Sequence, residues 1–189
     1  MIIRTCYKYS EILNHIQEII SKAADHNRLK YHIFPVVNNA VRLAQKLDAD
    51  KEVVEIAAFL HDYTRCLGDR ENHHNSSADY AINFLKKHNF PEEKIKLTDS
   101  CIRNHRGSLH VLRKSTEEKI LATADAMAHI QQPLPMFYTW YGIHKMDILE
   151  GAVEIENKLK RSWNKIYYDF VQDELKDQYE CLMRVLKTK

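Results

Sequence analysis

His61 and Asp62 stand side by side at the end of an apolar run, Glu55-Ile56-Ala57-Ala58-Phe59-Leu60, and two further candidate ligands, His32 and Asp125, stand elsewhere in the chain. An imidazole beside a carboxylate, placed where a buried helix meets a cleft, offers ligand atoms to a divalent metal. The same dipeptide at a helix end also serves as a solvated cap or a hydrogen-bonded pair, so its surroundings must decide. Asp125 is the most informative neighbour. It lies in Ala122-Thr123-Ala124-Asp125-Ala126, and an aspartate inside an apolar helix is costly to bury without a cation or donor beside it. A structural salt bridge would meet that cost, and so would a metal. Two imidazoles and two carboxylates form a mixed nitrogen and oxygen set suited to Mn, Fe, Ni, Co or Zn, and less to Ca or Mg. Water in the open positions would become a hydroxide-like nucleophile near neutral pH.

Helices must position these groups. Ser10 fits an N-cap for a first helix whose stripe is Ile12, Leu13, Ile16, Ile19, Ile20 and Ala23, ending near residues 25–27. A short connector, 28–31, leads to His32. Phe34-Pro35 begins a second helix, and Asp48-Ala49-Asp50 closes it and caps a third that carries the His-Asp pair. Residues 66–72 contain glycine without periodicity and predict a loop. Ser76-Ser77 lie at the start of a fourth helix, and Pro91 opens a fifth that runs to His105. Residues 106–110 predict a second loop. Ser115 and Glu118 fit a capping box for the sixth helix, which carries Asp125. Pro133 and Pro135 break the pattern before an aromatic patch, 137–141, expected to pack into the core, and a long charged helical region from about 148 to 187. Lys158-Leu159-Lys160-Arg161 predicts a solvated face. With no strand alternation and no internal repeat, the expected class is all-α.

Composition narrows the function classes. The chain of 189 residues is 44% hydrophobic and 29% charged, an ordinary globular balance, and its four glycines and four prolines disfavour long linkers. A net charge of +2 gives no footprint for nucleic acid or an acidic membrane. Cys6, Cys66, Cys101 and Cys181 form no CxxC pair, which suits free thiols in a reducing compartment. The N-terminal stretch turns polar too early for a signal peptide, and no apolar run approaches a membrane span, so a cytoplasmic location is expected.

The order His32, His61-Asp62, Asp125 resembles the H…HD…D signature of the HD-domain superfamily of metal-dependent phosphohydrolases. Context matches as well: Val36-Val37-Asn38-Asn39-Ala40-Val41-Arg42-Leu43-Ala44 after the first histidine, His73-His74-Asn75-Ser76-Ser77-Ala78, and Glu118-Lys119-Ile120-Leu121-Ala122-Thr123-Ala124-Asp125. The resemblance covers about residues 28–130. It implies an HD-type helical bundle, with the helices at about 144–187 packed on that core as one domain of 1–189. It also implies His32, His61, Asp62 and Asp125 as metal ligands, with one divalent metal per chain favoured and two possible, Mg included among the candidates. Asp62, His73 and His105 become the catalytic candidates. In two-metal members, histidines in the regions of His73 and His105 join the second centre with the aspartate of the pair bridging; in single-metal members they line the pocket. His74 is expected to be the solvated neighbour of His73.

Arg65, Arg106 and Lys119 are the candidate substrate contacts, because cationic side chains match phosphate oxygens, and guanidinium does so bidentately. Arg70 is a weaker candidate of the same kind. The expected activity is hydrolysis of a phosphate ester or anhydride in a small molecule, with a nucleotide as the expected class. An HD-type di-iron oxygenase and a non-catalytic nucleotide-binding or signalling domain are the alternatives. The expected partner is the small-molecule substrate, with no nucleic acid, no membrane, and room for a homo-oligomer.

Overall fold

The computed structural model describes residues 8–106 and 111–187. The N-terminal stretch 1–7 with Cys6, and most of the loop expected at 106–110, lie outside the described residues. Among those described, the secondary structure is helical: α1 (Tyr9–Ala23), a single turn α2 (His26–Arg28), a π-helical turn (Leu29–Ile33), α3 (Phe34–Leu47), α4 (Lys51–Leu60), α5 (Tyr63–Cys66), α6 (His73–Lys87), α7 (Glu92–Asn104), α8 (Thr116–Gln131), α9 (Leu134–Phe137), a second π-helical turn (Tyr138–Ile143), α10 (Ile148–Trp163) and α11 (Asp169–Leu186). The all-α class follows.

Helix α8 is the axis of the bundle. It is buried nearly all round, from Glu118 to Ile130, because its alanines let α3, α4, α7, α10 and α11 all pack against it. Its start is held by the expected capping box. The Glu118 amide donates to Ser115 Oγ at 3.1 Å, and Glu118 accepts from the Ser115 amide at 3.1 Å. Asn104, the last residue of α7, donates to the other Glu118 oxygen at 2.9 Å, so His105 is tied to the helix that carries Asp125. Helix α4, buried on every side from Ile56 to Leu60, fills the space between α1, α3 and α7 and delivers His61 and Asp62 at its C-terminal end.

Several local expectations need correction. Lys8, not Ser10, is the N-cap of α1, and it makes no side-chain cap. The segment 28–31 is not a connector: Asp25 caps α2, and the π-helical turn runs straight into α3, so His32 sits on continuous helix. Helix α6 begins at His73, ahead of Ser76-Ser77. Helix α8 ends at Gln131, just ahead of Pro133 as expected, but helical structure resumes at once, because the two prolines fall at the N-cap and first turn of α9, where a missing amide costs little. The region after 148 is two helices broken at residues 164–168. In the aromatic patch, Phe137, Trp140 and Tyr141 pack against the core while Tyr138 is exposed. Cys66, Cys101 and Cys181 are free. No helix among the described residues is long and apolar enough to cross a membrane.

Candidate metal centre

The four residues of the signature converge from three segments of helix. His32 Nε2 lies 3.3 Å from His61 Nε2, 3.3 Å from Asp62 Oδ2 and 3.5 Å from Asp125 Oδ1. His61 Nε2 lies 3.7 Å from Asp62 Oδ2 and 4.0 Å from Asp125 Oδ1. All four side chains are buried. His32, with His61 and Asp62 on one side and Asp125 and His129 on the other, gathers donors close enough together to hold a divalent cation, and their nitrogen and oxygen atoms fit the transition metal expected from sequence.

Asp62 divides its oxygens between two clusters. Its Oδ1 faces His73 Nε2 at 3.3 Å and His105 Nε2 at 3.8 Å, so Asp62, His73 and His105 form a second group able to hold a metal ion. His73 is brought there by the turn between α5 and α6. The Thr64 amide donates to Ser77 Oγ at 3.1 Å, and Thr64 Oγ1 donates to the His73 carbonyl at 3.2 Å. This clamp explains the Ser-Ala element after the histidines. His73 faces Asp62, whereas His74, expected to be solvated, is half-buried, with its Nδ1 shielded from water and without a hydrogen-bond partner among the described residues.

Protonation states suit ligand duty. Burial opposes ionisation of Asp62, but His61, Arg28 and His32 outweigh it and hold the carboxyl well below the usual carboxylate range. Burial likewise opposes ionisation of Asp125, and Lys165, His129, His32 and His61 hold it well below that range. Burial pushes His32 down to about 4, pushes His105 well down, and lowers His73. His61, His73 and His105 each donate Nδ1–H to a backbone carbonyl, of Ala58 at 2.7 Å, Arg70 at 3.1 Å and Ile102 at 2.6 Å. A neutral imidazole that spends Nδ1–H this way presents a bare Nε2 lone pair. His73 and His105 therefore turn acceptors toward an ionised carboxylate oxygen with no proton between them. That is unfavourable until a cation or a donor enters.

The HD domain model matches residues 29–129 of the chain. The chain belongs to the HD domain family. Among solved structures, this HD domain is similar to a protein from an uncultured Thermotogales bacterium, described as a predicted HD superfamily hydrolase (23% identity over 94% of this chain and 88% of that one, TM-score 0.64). It is also similar to an HD-superfamily hydrolase of Bacillus thuringiensis (20% identity, 94% and 92% covered, TM-score 0.66) and to Bacillus subtilis YpgQ in complex with ADP (21% identity, 95% and 94% covered, TM-score 0.67). At such identities the likeness shows the fold. No protein of curated function matches the sequence.

Four residues of this HD domain protein join the site without having been expected there. Arg28, one helical turn before His32, pairs with Asp62 Oδ2, and Lys165 pairs with Asp125 Oδ2 and donates to the His105 carbonyl at 3.3 Å. His129 stacks on His32 with ring centroids 5.2 Å apart, and its Nδ1 lies 3.9 Å from Asp125 Oδ1. Its spacing of four residues from Asp125 on α8 was the available signal. Lys158, read from sequence as part of a solvated face, interacts electrostatically with Asp125 and Asp62. Lys158 and Lys165 lie beyond the matched segment, and only the docking of α10 on α8 brings them in. Of the expected substrate contacts, Arg65 is at the cluster, its Nε 4.0 Å from Asp62 Oδ2. Arg106 turns away to the Glu71 carbonyl. Lys119 is six residues before Asp125 on α8, about 9 Å along the axis and roughly 120° around it, and makes no ion pair with the cluster.

Proposed function

We propose that this HD domain protein is a metal-dependent phosphohydrolase acting on a small phosphorylated molecule, with a nucleotide as the expected class. One observation carries the reading: buried imidazole nitrogens and ionised carboxylate oxygens are turned on one another, and cationic side chains stand around them. The first half of that arrangement calls for a metal, and the second for an anionic substrate. YpgQ, a protein of similar fold, was crystallised with ADP, which supports a nucleotide.

His32, His61, Asp62 and Asp125 would hold the principal cation, and Asp62 Oδ1 with His73 and His105 would hold a second where two are bound. A divalent cation at such a site polarises a phosphoryl oxygen and lowers the pKa of water beside it. The protein's own groups do the rest. Lys165 keeps Asp125 ionised and oriented by taking its outer oxygen, and Arg28 keeps Asp62 ionised through Oδ2, the oxygen that also faces His32 and His61. Arg65, at the edge of the cluster, is placed to neutralise charge on phosphoryl oxygens. With one cation bound, the bare Nε2 of His73 or His105 can accept a proton from an attacking water. We also propose that the chain forms one HD-type domain, in which α10 and α11 complete the wall of the site.

The test is protein loaded with Mn or Co and offered a panel of nucleotides and generic phosphate esters, with release of phosphate or pyrophosphate as the readout. Turnover that is lost in His61→Ala is expected. No turnover with any metal, in protein shown to be loaded, overturns the reading. Because Asp62 reaches both donor groups, a di-iron oxygenase is the second reading. Arg28, Arg65 and Lys165 favour the anionic substrate over it, and consumption of O2 by the iron-loaded protein would reverse that preference.

A further inference from the structure

His129 stands in the donor cluster but outside the four-residue signature. It lies four residues after Asp125 on α8, so the two side chains share one face of that helix. Its side chain is largely buried, and its ring stacks on His32 with centroids 5.2 Å apart and 29° between the planes. Its Nδ1 lies 3.9 Å from Asp125 Oδ1, the oxygen that also faces His32 Nε2 at 3.5 Å and His61 Nε2 at 4.0 Å. Lys165 holds the other oxygen of that carboxylate, so Oδ1 is the one left for a cation.

A purely structural role accounts poorly for this placement. At 3.9 Å, Nδ1 and Oδ1 are too far apart for a hydrogen bond. The contact of Nδ1 with Ser162 Oγ, at 3.4 Å, is long for one. The separations do suit ligation. Donors held about 2.0–2.2 Å from one ion stand about 3–4 Å from their neighbours around it. Asp125 Oδ1 meets that condition toward both His32 and His129, as His32 Nε2 does toward His61 and Asp62 at 3.3 Å. One donor atom each from His32, Asp125 and His129 all lie within 4.8 Å of one another. Two donors four residues apart on one helix also form a chelating pair, the arrangement of the two histidines in helical zinc motifs.

We propose that His129 is a metal ligand, the fifth donor of the principal cation, binding through Nδ1 beside His32, His61, Asp62 and Asp125. The proposal rests on the metal reading of that cluster and adds a residue that its signature does not contain. Metal at Nδ1 displaces the contact with Ser162 Oγ, a small loss at that length. A third imidazole adds no charge and softens the donor set, which favours Fe, Co, Ni or Zn over Mg. On a six-coordinate ion it leaves one position for water or a substrate oxygen, where four donors leave two.

The test reads coordination, so it does not depend on turnover. One equivalent of Co is added to wild type, His129→Gln and Ser162→Ala, with metal content measured in each. Proton NMR then counts the paramagnetically shifted, exchangeable imidazole N–H resonances, one for each bound histidine that keeps a ring proton. Wild type and Ser162→Ala are expected to show the same number, and His129→Gln one fewer. Competition with a chelator is expected to show Co held roughly tenfold or more weakly by His129→Gln. Should His129→Gln fail to fold, acylation of histidines in the wild-type protein, read by peptide mass spectrometry, gives the same answer: Co protects His129. An unchanged count or an unchanged affinity in His129→Gln, or equal labelling of His129 with and without Co, overturns the proposal and leaves the four-residue site standing. Wild type that binds no Co overturns both.

Discussion

Lys165→Met separates the charge of Asp125 from its role toward a metal. Asp125 and Lys165 are about equally buried, at 5% and 6% exposure, and Lys165 takes the Asp125 oxygen that faces away from the donor cluster. Methionine keeps much of the apolar stem and removes the charge. In metal-free protein the substitution leaves a carboxylate in the interior without its strongest partner, a loss of about 3–5 kcal/mol. A divalent cation on the opposite oxygen would compensate that charge, leaving a loss of about 1–2 kcal/mol for the missing hydrogen bonds. Metal should therefore stabilise Lys165→Met more than wild type, by about 2 kcal/mol. In a chain of this size that is an extra rise in Tm of about 4–8 °C. The assay is thermal unfolding with chelator and with Mn, at pH 8 so that Asp125 cannot escape the cost by taking a proton. Equal rises in the two proteins would refute the reasoning, because Asp125 would then carry no metal charge.

Three further outcomes follow from the same geometry. His32 has a folded value of about 4, below its ordinary value near 6.5, so the unfolded chain takes the proton first as pH falls. Metal-free protein should lose about 2 kcal/mol of stability from His32 between pH 7 and pH 5, read by urea unfolding as the difference between wild type and His32→Gln; a difference that does not vary with pH contradicts it. Gly151→Ala places a Cβ 2.2 Å from Tyr141 Cε1, whose hydroxyl is held by the Ile148 carbonyl at 2.9 Å. It should cost about 1–3 kcal/mol in thermal unfolding without changing metal content. Ser115→Ala removes half of the α8 capping box and should cost about 1 kcal/mol in the same assay; no loss would mean that Glu118 alone holds the helix start.

What was legible in the sequence is what short-range pattern controls. Asp125 and the His61-Asp62 pair could be read because each lies in a local context of its own, an alanine-flanked aspartate and a histidine beside an aspartate, His32 through the order of the family signature, and the capping box because its two partners are three residues apart. Arg28 escaped because 28–31 looked like a connector, and a turn of π-helix has no apolar period to reveal it. His73 was favoured over His74 through the following Ser-Ala element, but the reason lies in tertiary contacts of Thr64 that no spacing encodes. Lys158 and Lys165 were illegible in a stronger sense. Lys165 pairs with Asp125, 40 residues away in sequence, and only the break at 164–168 and the packing of α10 on α8 bring these lysines toward the site.

Elemental analysis of the purified protein tests the central claim most directly. After dialysis against Mn and removal of the excess, wild type should retain at least one divalent cation per chain, and a protein with both His61→Ala and Asp125→Ala should retain none while remaining helical by circular dichroism. Retention of metal by that double variant at the wild-type level, or its absence from wild type, would contradict the account.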